Sequence, residues 1–276
     1  RPTYFMPYKH ETPHKERIDK VVEWLSLKDK YRPHIVTLYF HDVDSAAHTY
    51  GTKSSELKKA IVKVDKSLEE LFKRLSTLSI FDKINILFVS DHGMIDTPIH
   101  KVETLDSAFR NGLDHTLLSQ FKVIGQGPFI QFYYMGSAQG EEKLKICQTF
   151  KNLLVKRNLK AKHFLREDLP ERYHVKKLSR SGDVFSLADP GHHISFRKDL
   201  KWMPANHGFD PFVTPEMGGF FLATGPNIKQ SKTKLKAFSN IEIFPLMTTI
   251  LGLDQSEISI DGTGSIVESI YKNTLF

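Results

Sequence analysis

Two apolar runs that stop abruptly at chemically active residues constrain this chain more than any other feature. Ile35-Val36-Thr37-Leu38-Tyr39-Phe40 runs into His41, Asp42, Asp44 and His48, and Ile84–Val89, apolar except for Asn85, runs into Ser90-Asp91-His92-Gly93. Each run has the length of a strand and reads as buried. Between them, Leu57, Ile61, Val64, Leu68, Leu71 and Leu75 recur at three- and four-residue steps, the spacing of a long amphipathic helix over about 54–75. Largely apolar strands alternating with helices predict an α/β fold, with helices covering both faces of a mostly parallel sheet.

The same reading extends along the chain. Residues 13–27 carry Ile18, Val21, Val22 and Leu25 on one helical face, and Pro13 suits a first turn. From about Asp114 to Leu200 the texture changes: "FIQFYYMG" and "DVFSLAD" read as strands around a helix at 141–157, a small α+β insertion. "GGFFLATG" is a further core strand, Lys229–Lys236 a solvated loop, and 240–253 a helix with Ser239 or Asn240 as N-cap and Glu242 in its first turn.

In open α/β sheets, ligands bind beyond the carboxyl ends of the strands, where these runs stop. Asp44 and His48 follow the first run, Asp91 and His92 the second, and "NHGFD" places His207 ahead of "GGFFLATG". Imidazole with carboxylate is the donor set that suits zinc and similar divalent ions. Gly93 and Gly208, beside two of the histidines, permit tight turns or close backbone approach. Singly, each residue has an ordinary alternative: Asp44 as a turn or cap residue, His48 as a surface histidine, Asp91-His92-Gly93 as a turn that ends a strand. The recurrence of the same ligand types after apolar runs outweighs its members. His192 and His193 read as strand residues of the insertion.

Composition removes other classes. The formal net charge of +7 suits an anionic substrate or plain solubility, and no basic stripe interleaved with aromatics marks a nucleic-acid site. With Cys147 as the one cysteine, neither an internal disulfide nor a multi-thiolate zinc site is available. The longest apolar stretch, around Phe244–Leu253, is too short to span a bilayer. Phosphate-loop, dinucleotide, HExxH and GxSxG motifs do not occur.

The segments "RPHIVTLYFHDVDSAAHTYG", "ILFVSDHGM" and "NHGFD" resemble the ecto-nucleotide pyrophosphatase/phosphodiesterase family of the alkaline phosphatase superfamily, as do "VDKSLEELFKRL" and "NIEIFPLM". In the first motif Asp44 and His48 keep their places, while Val43, Ala47 and His41 depart from the family's Pro, Gly and acidic residue. The resemblance implies an alkaline-phosphatase-like sandwich of helices on a sheet, with the N-terminal part of the fold lying upstream of Arg1. It implies one zinc held by Asp44, His48 and His207, a second held by Asp91 and His92, and manganese or cobalt as substitutes. It further implies a nucleophilic Thr and another Asp ligand upstream of Arg1, so that this chain alone is expected to turn over diesters poorly. Tyr8 and Tyr39 fall where the family places nucleotide-pocket aromatics, with simple packing as the alternative. His41 and Asp42 are candidates to orient the ligands. The implied activity is hydrolysis of phosphodiester or pyrophosphate bonds in nucleotides or related small molecules, outside the cytoplasm. A metal-binding domain without turnover, or a related phosphatase or sulfatase, would share much of this pattern.

Overall fold

The computed structural model describes residues 2–105, 113–176, 180–195, 202–230, 234–256 and 258–272. Parts of the expected insertion (177–179, 196–200) and of the lysine-rich loop (231–233) lie outside them. The helices are α1 (His14–Leu25), α2 (Asp42–Tyr50), α3 (Ser55–Leu75), α4 (Leu113–Leu118), α5 (Gly140–Lys156), α6 (Ile243–Ile250) and α7 (Val267–Ile270). The strands are β1 (Ile86–Val89), β2 (Ile95–Asp96), β3 (Val102–Thr104), β4 (Phe121–Gln126), β5 (Phe129–Tyr134), β6 (Ala161–Leu165), β7 (Val184–Ala188), β8 (His193–Ser195), β9 (Ala205–Asn206) and β10 (Phe221–Thr224). The chain divides into two compact units: Arg1–Asp42, Ile61–Asp91 and Gly219–Phe276 form the first, and Val43–Ala60 with His92–Gly218 the second.

The first unit is layered. β1 pairs antiparallel with β10, Ile86 opposite Thr224 and Val89 opposite Phe221. Successive strand residues point to opposite faces, and here they meet different cores. Ile86 packs on the cluster built by Ile18 and Val21 of α1 with Leu71 and Leu75 of α3. Leu87 packs on Leu246 of α6 with Ile228, Ile266 and Ile270. The ladder thus lies between two helical layers, the α/β arrangement expected from the alternating pattern. The 3-10 turn Asn240–Glu242 precedes α6, with Ser239 at its N-cap position but no side-chain bond from it. Glu242 instead accepts from the backbone amides of Thr263 and Ser265, which explains why this carboxylate is buried.

Residues 35–40 correct the expectation of a buried strand. They lie outside the named strands, with Val36, Leu38 and Phe40 against the Ile18–Leu71 cluster and Ile35 and Tyr39 exposed. That is the alternation of a segment with one covered face. The buried Arg17 of α1 reaches this segment and donates to the Tyr39 carbonyl at 2.8 Å.

In the second unit, β4, β5, β7 and β6 form a four-stranded sheet in that order, antiparallel throughout. Helix α5 buries Cys147, Phe150 and Leu154 at helical spacing in one core with Phe121, Ile130, Phe132 and Val184. Two short ladders complete the unit: β2 with β9, antiparallel, and β3 with β8, parallel. Among the described residues this last pairing is the one parallel ladder, so strand direction differs from the mostly parallel sheet read from the apolar runs. The β1–β10 ladder, covered at Ile86 and Leu87 and exposed at Val89 and Leu222, runs antiparallel.

Candidate metal centre

The site is built from three stretches of the second unit. Residues 42–50 form a helix. Asp44 and His48 are therefore four positions apart on one helical face, the spacing at which side chains meet. Their closest approach is 3.4 Å, between Asp44 Oδ1 and His48 Nε2. The β2–β9 ladder supplies the rest: Ile95 faces Asn206, so His92, just before β2, and His207, just after β9, converge. Their rings stack with centroids 3.5 Å apart and planes 10° from parallel. His207 Nε2 lies 3.8 Å from Asp44 Oδ1, and its ring is centred 5.0 Å from that of His48.

The two glycines of the motifs have separate reasons. A Cβ on Gly93 would sit 1.9 Å from the Glu216 carbonyl oxygen, because the chain there runs against 216–218: Gly93 N–H donates to Met217 O and Met94 N–H to Glu216 O. Gly208 turns the chain after His207 with φ +97°, the left-handed region that favours glycine.

Hydrogen bonds orient the imidazoles. His48 Nδ1 lies 2.9 Å from the Ala205 carbonyl oxygen, and His92 Nδ1 2.9 Å from that of Gly93. A carbonyl only accepts, so each Nδ1 carries a proton, and in the neutral imidazole this leaves Nε2 with the lone pair a metal ligand requires. Asp44 Oδ1 is buried and accepts no hydrogen bond. A carboxylate oxygen turned inward in this way favours a positively charged partner. Donor atoms of Asp44, His92 and His207 all lie within 4.8 Å of one another. Four donors about 2.0–2.1 Å from one zinc stand roughly 3.3 Å apart, so small side-chain shifts close the cluster. The residues fit a divalent cation.

His92 thus stands beside Asp44 and His207, next to residues that the resemblance assigns to another ion. Asp91 ends the first unit, and the cluster described comes from the second unit alone. Tyr8 and Tyr39 belong to the first unit and are brought together there, ring centroids 6.3 Å apart, both largely exposed. His41 joins them, edge-on to Tyr8 at 6.3 Å and 3.8 Å from the His10 ring. Burial and the neighbouring His10 lower the His41 pKa. Asp42 accepts from Lys63 at 2.5 Å and His14 at 2.6 Å. Burial opposes its ionisation, but those hydrogen bonds overcome that effect and bring its pKa down to about 2. In the first unit Asp42 is thus an anchor for α1 and α3.

Residues 1–210 match the model of the family described as type I phosphodiesterase / nucleotide pyrophosphatase. Ectonucleotide pyrophosphatase/phosphodiesterase family member 5 of Homo sapiens is 28% identical over 252 residues, covering 91% of this chain and 49% of that protein. The bis(5'-adenosyl)-triphosphatase ENPP4 of Bos taurus is 29% identical over 255 residues, covering 91% of this chain and 51% of that protein. The chain therefore spans about half the length of these relatives. Among solved structures, an inactive variant of murine ectonucleotide pyrophosphatase/phosphodiesterase 5 in complex with AMP superposes with a TM-score of 0.84 at 25% identity, covering 98% of this chain and 67% of that one.

Proposed function

Because this chain belongs to the type I phosphodiesterase / nucleotide pyrophosphatase family, we propose that it carries a metal centre for hydrolysing phosphodiester or pyrophosphate bonds in nucleotides or related small molecules. The observation that supports this most is the grouping of Asp44, His92 and His207 within 4.8 Å of one another, with His48 Nε2 3.4 Å from the Asp44 carboxylate. Oxygen and nitrogen donors of this kind favour zinc, with manganese or cobalt as substitutes. A bound divalent ion would supply Lewis acidity at a phosphoryl oxygen and a lowered pKa for the attacking group. Asp44 contributes the negative charge that holds such an ion, while the carbonyls of Ala205 and Gly93 keep His48 and His92 in the required tautomer.

A second zinc with Asp91 among its ligands, and a covalent threonine intermediate, belong to this proposal on the family resemblance. So does an extracytoplasmic location, which rests on relatives named as ecto-enzymes. Tyr8 and Tyr39 are proposed as stacking faces for a nucleobase, the AMP complex of the murine relative supporting a nucleotide ligand. The net charge of +7 favours anionic substrates in general. No described helix is long and apolar enough to cross a membrane.

The test is AMP binding and diester turnover by the chain with zinc and after chelation. Zinc-loaded chain is expected to bind AMP at least about tenfold tighter than chelated chain, since the phosphate gains a direct charge partner. Equal affinity in both states would refute a metal-borne phosphate site. Chelator-sensitive hydrolysis of a chromogenic nucleotide diester supports the hydrolase, and the AMP titration, rather than the size of the turnover, decides whether the phosphate site is metal-borne.

A further inference from the structure

The ligands proposed above sit on three chain segments whose mutual placement decides whether they can share an ion. The β2–β9 ladder aligns two of those segments, since Ile95 and Asp96 face Asn206 and Ala205 and so bring His92 and His207 together. Neighbouring bonds stiffen this ladder: Thr97 donates from its backbone to the Pro204 carbonyl and from its hydroxyl to the Met203 carbonyl, both at 2.7 Å, and Trp202 Nε1 donates to the Thr97 carbonyl.

The third segment, α2, carries Asp44 and His48. It ends at Gly51, whose φ of +87° turns the chain toward β2. Immediately afterwards one carboxylate oxygen of Asp96 accepts two hydrogen bonds from a single residue, from the Thr52 amide and the Thr52 hydroxyl, each at 2.7 Å. The approach is close: a Cβ on Gly51 would meet Asp96 Oδ1 at 3.5 Å and the Pro204 side chain at 3.7 Å. The residue facing Asp96 across the ladder is Ala205, and the Ala205 carbonyl is the acceptor that orients His48. The backbone and the side chain of this one residue therefore meet both anchors of α2.

We infer that Asp96 is a positioning residue of the metal centre: its carboxylate clamps the end of α2 to the β2–β9 ladder and so sets the Asp44–His48 pair against His92 and His207. This rests on the metal reading of the cluster. Asp96 is half-buried and acts through Thr52 rather than on the ion. Because the ladder has its own bonds, loss of the carboxylate releases α2 and leaves His92 and His207 in place. Nothing in the sequence marks this pair, since Thr52 and Asp96 share neither a motif nor a characteristic spacing.

The experiment is cobalt(II) and zinc binding by the 276-residue chain, read by d–d absorption, competition with a chelator, and the melting temperature of the metal-free protein. Asp96→Ala is expected to weaken metal binding by about 10–100-fold, the effect usual for groups that orient ligands, and to change the cobalt spectrum. Asp96→Asn keeps an acceptor oxygen for Thr52 and is expected to stay within about threefold of the wild type. Thr52→Val removes only the hydroxyl and should give a loss between the two. A folded Asp96→Ala protein with wild-type metal affinity overturns the inference, as does an Asp96→Asn protein as weak as Asp96→Ala. If Asp96→Ala does not fold, Thr52→Val decides: weakened binding with an unchanged melting temperature supports the clamp, and wild-type affinity overturns it. A wild-type chain that binds no cobalt overturns the metal reading itself, and this inference with it.

Discussion

Replacing His207 with alanine is expected to weaken zinc binding by about 100-fold or more while leaving the metal-free fold almost unchanged. The first half follows from the donor set: the proposed site would keep Asp44 and His92 with His48 beside Asp44, one donor short of the four that zinc favours. Loss of a direct ligand exceeds the 10–100-fold cost typical of groups behind the ligands. The second half follows from exposure. The His207 side chain is about one-third accessible and sits at a chain turn beside Gly208, so its removal opens no core cavity. The measurement pairs chelator-competition titration with thermal melting of the metal-free protein, and His100→Ala, at an exposed position with no role in the cluster, is the control. A His207→Ala chain that binds zinc as tightly as the His100→Ala chain would remove His207 from the site.

Phe150→Ala is expected to be the most damaging core substitution. Phe150 is fully buried on α5, stacked on Phe121 at 4.2 Å and edge-on to Phe132 at 5.0 Å. Truncating a buried phenylalanine costs about 3–5 kcal/mol through lost transfer energy and the cavity left behind. Here two aromatic contacts are lost as well, each worth about 0.5–1.5 kcal/mol beyond area burial. The sheet β4-β5-β7-β6 faces this ring, so relaxation around it is limited by ladder bonds on several strands. A melting temperature lower by roughly 10 °C is expected by calorimetry. A decrease below about 2 °C would mean that α5 does not pack on the sheet as described.

Much of the local structure was legible because local periodicity carried it. The leucine and isoleucine spacing from Leu57 to Leu75 marks α3 to within a residue, and Ile18, Val21 and Leu25 mark α1. Helix α2 was not legible as such. Its sequence Asp-Val-Asp-Ser mixes cap formers with a β-branched residue, and the apolar run before it suggested a strand that stops at these residues. The available signal was the four-residue step from Asp44 to His48, which a helix converts into a shared face. Ladder direction lay beyond reach for a different reason. Ile86 pairs with Thr224, far along the chain, and no local pattern states which way such a distant strand runs.

At the site, Asp44, His48, Asp91 and His92 stood out after the apolar runs and His207 in "NHGFD", because the same ligand types recur although each alone has an ordinary use. Their grouping was not legible. Which histidine stands beside Asp44 depends on the two-residue β2–β9 ladder, and strands that short leave no periodic trace. The same holds for Thr52 and Asp96, whose contact exists only once α2 and β2 have met.

Zinc K-edge X-ray absorption on the chain with one equivalent of zinc tests the central claim most directly. A shared centre built from Asp44, His48, His92 and His207 predicts a mixed nitrogen and oxygen shell at about 2.0–2.1 Å, together with the outer-shell scattering of several imidazole rings. A shell of oxygen alone, without imidazole scattering, would contradict it.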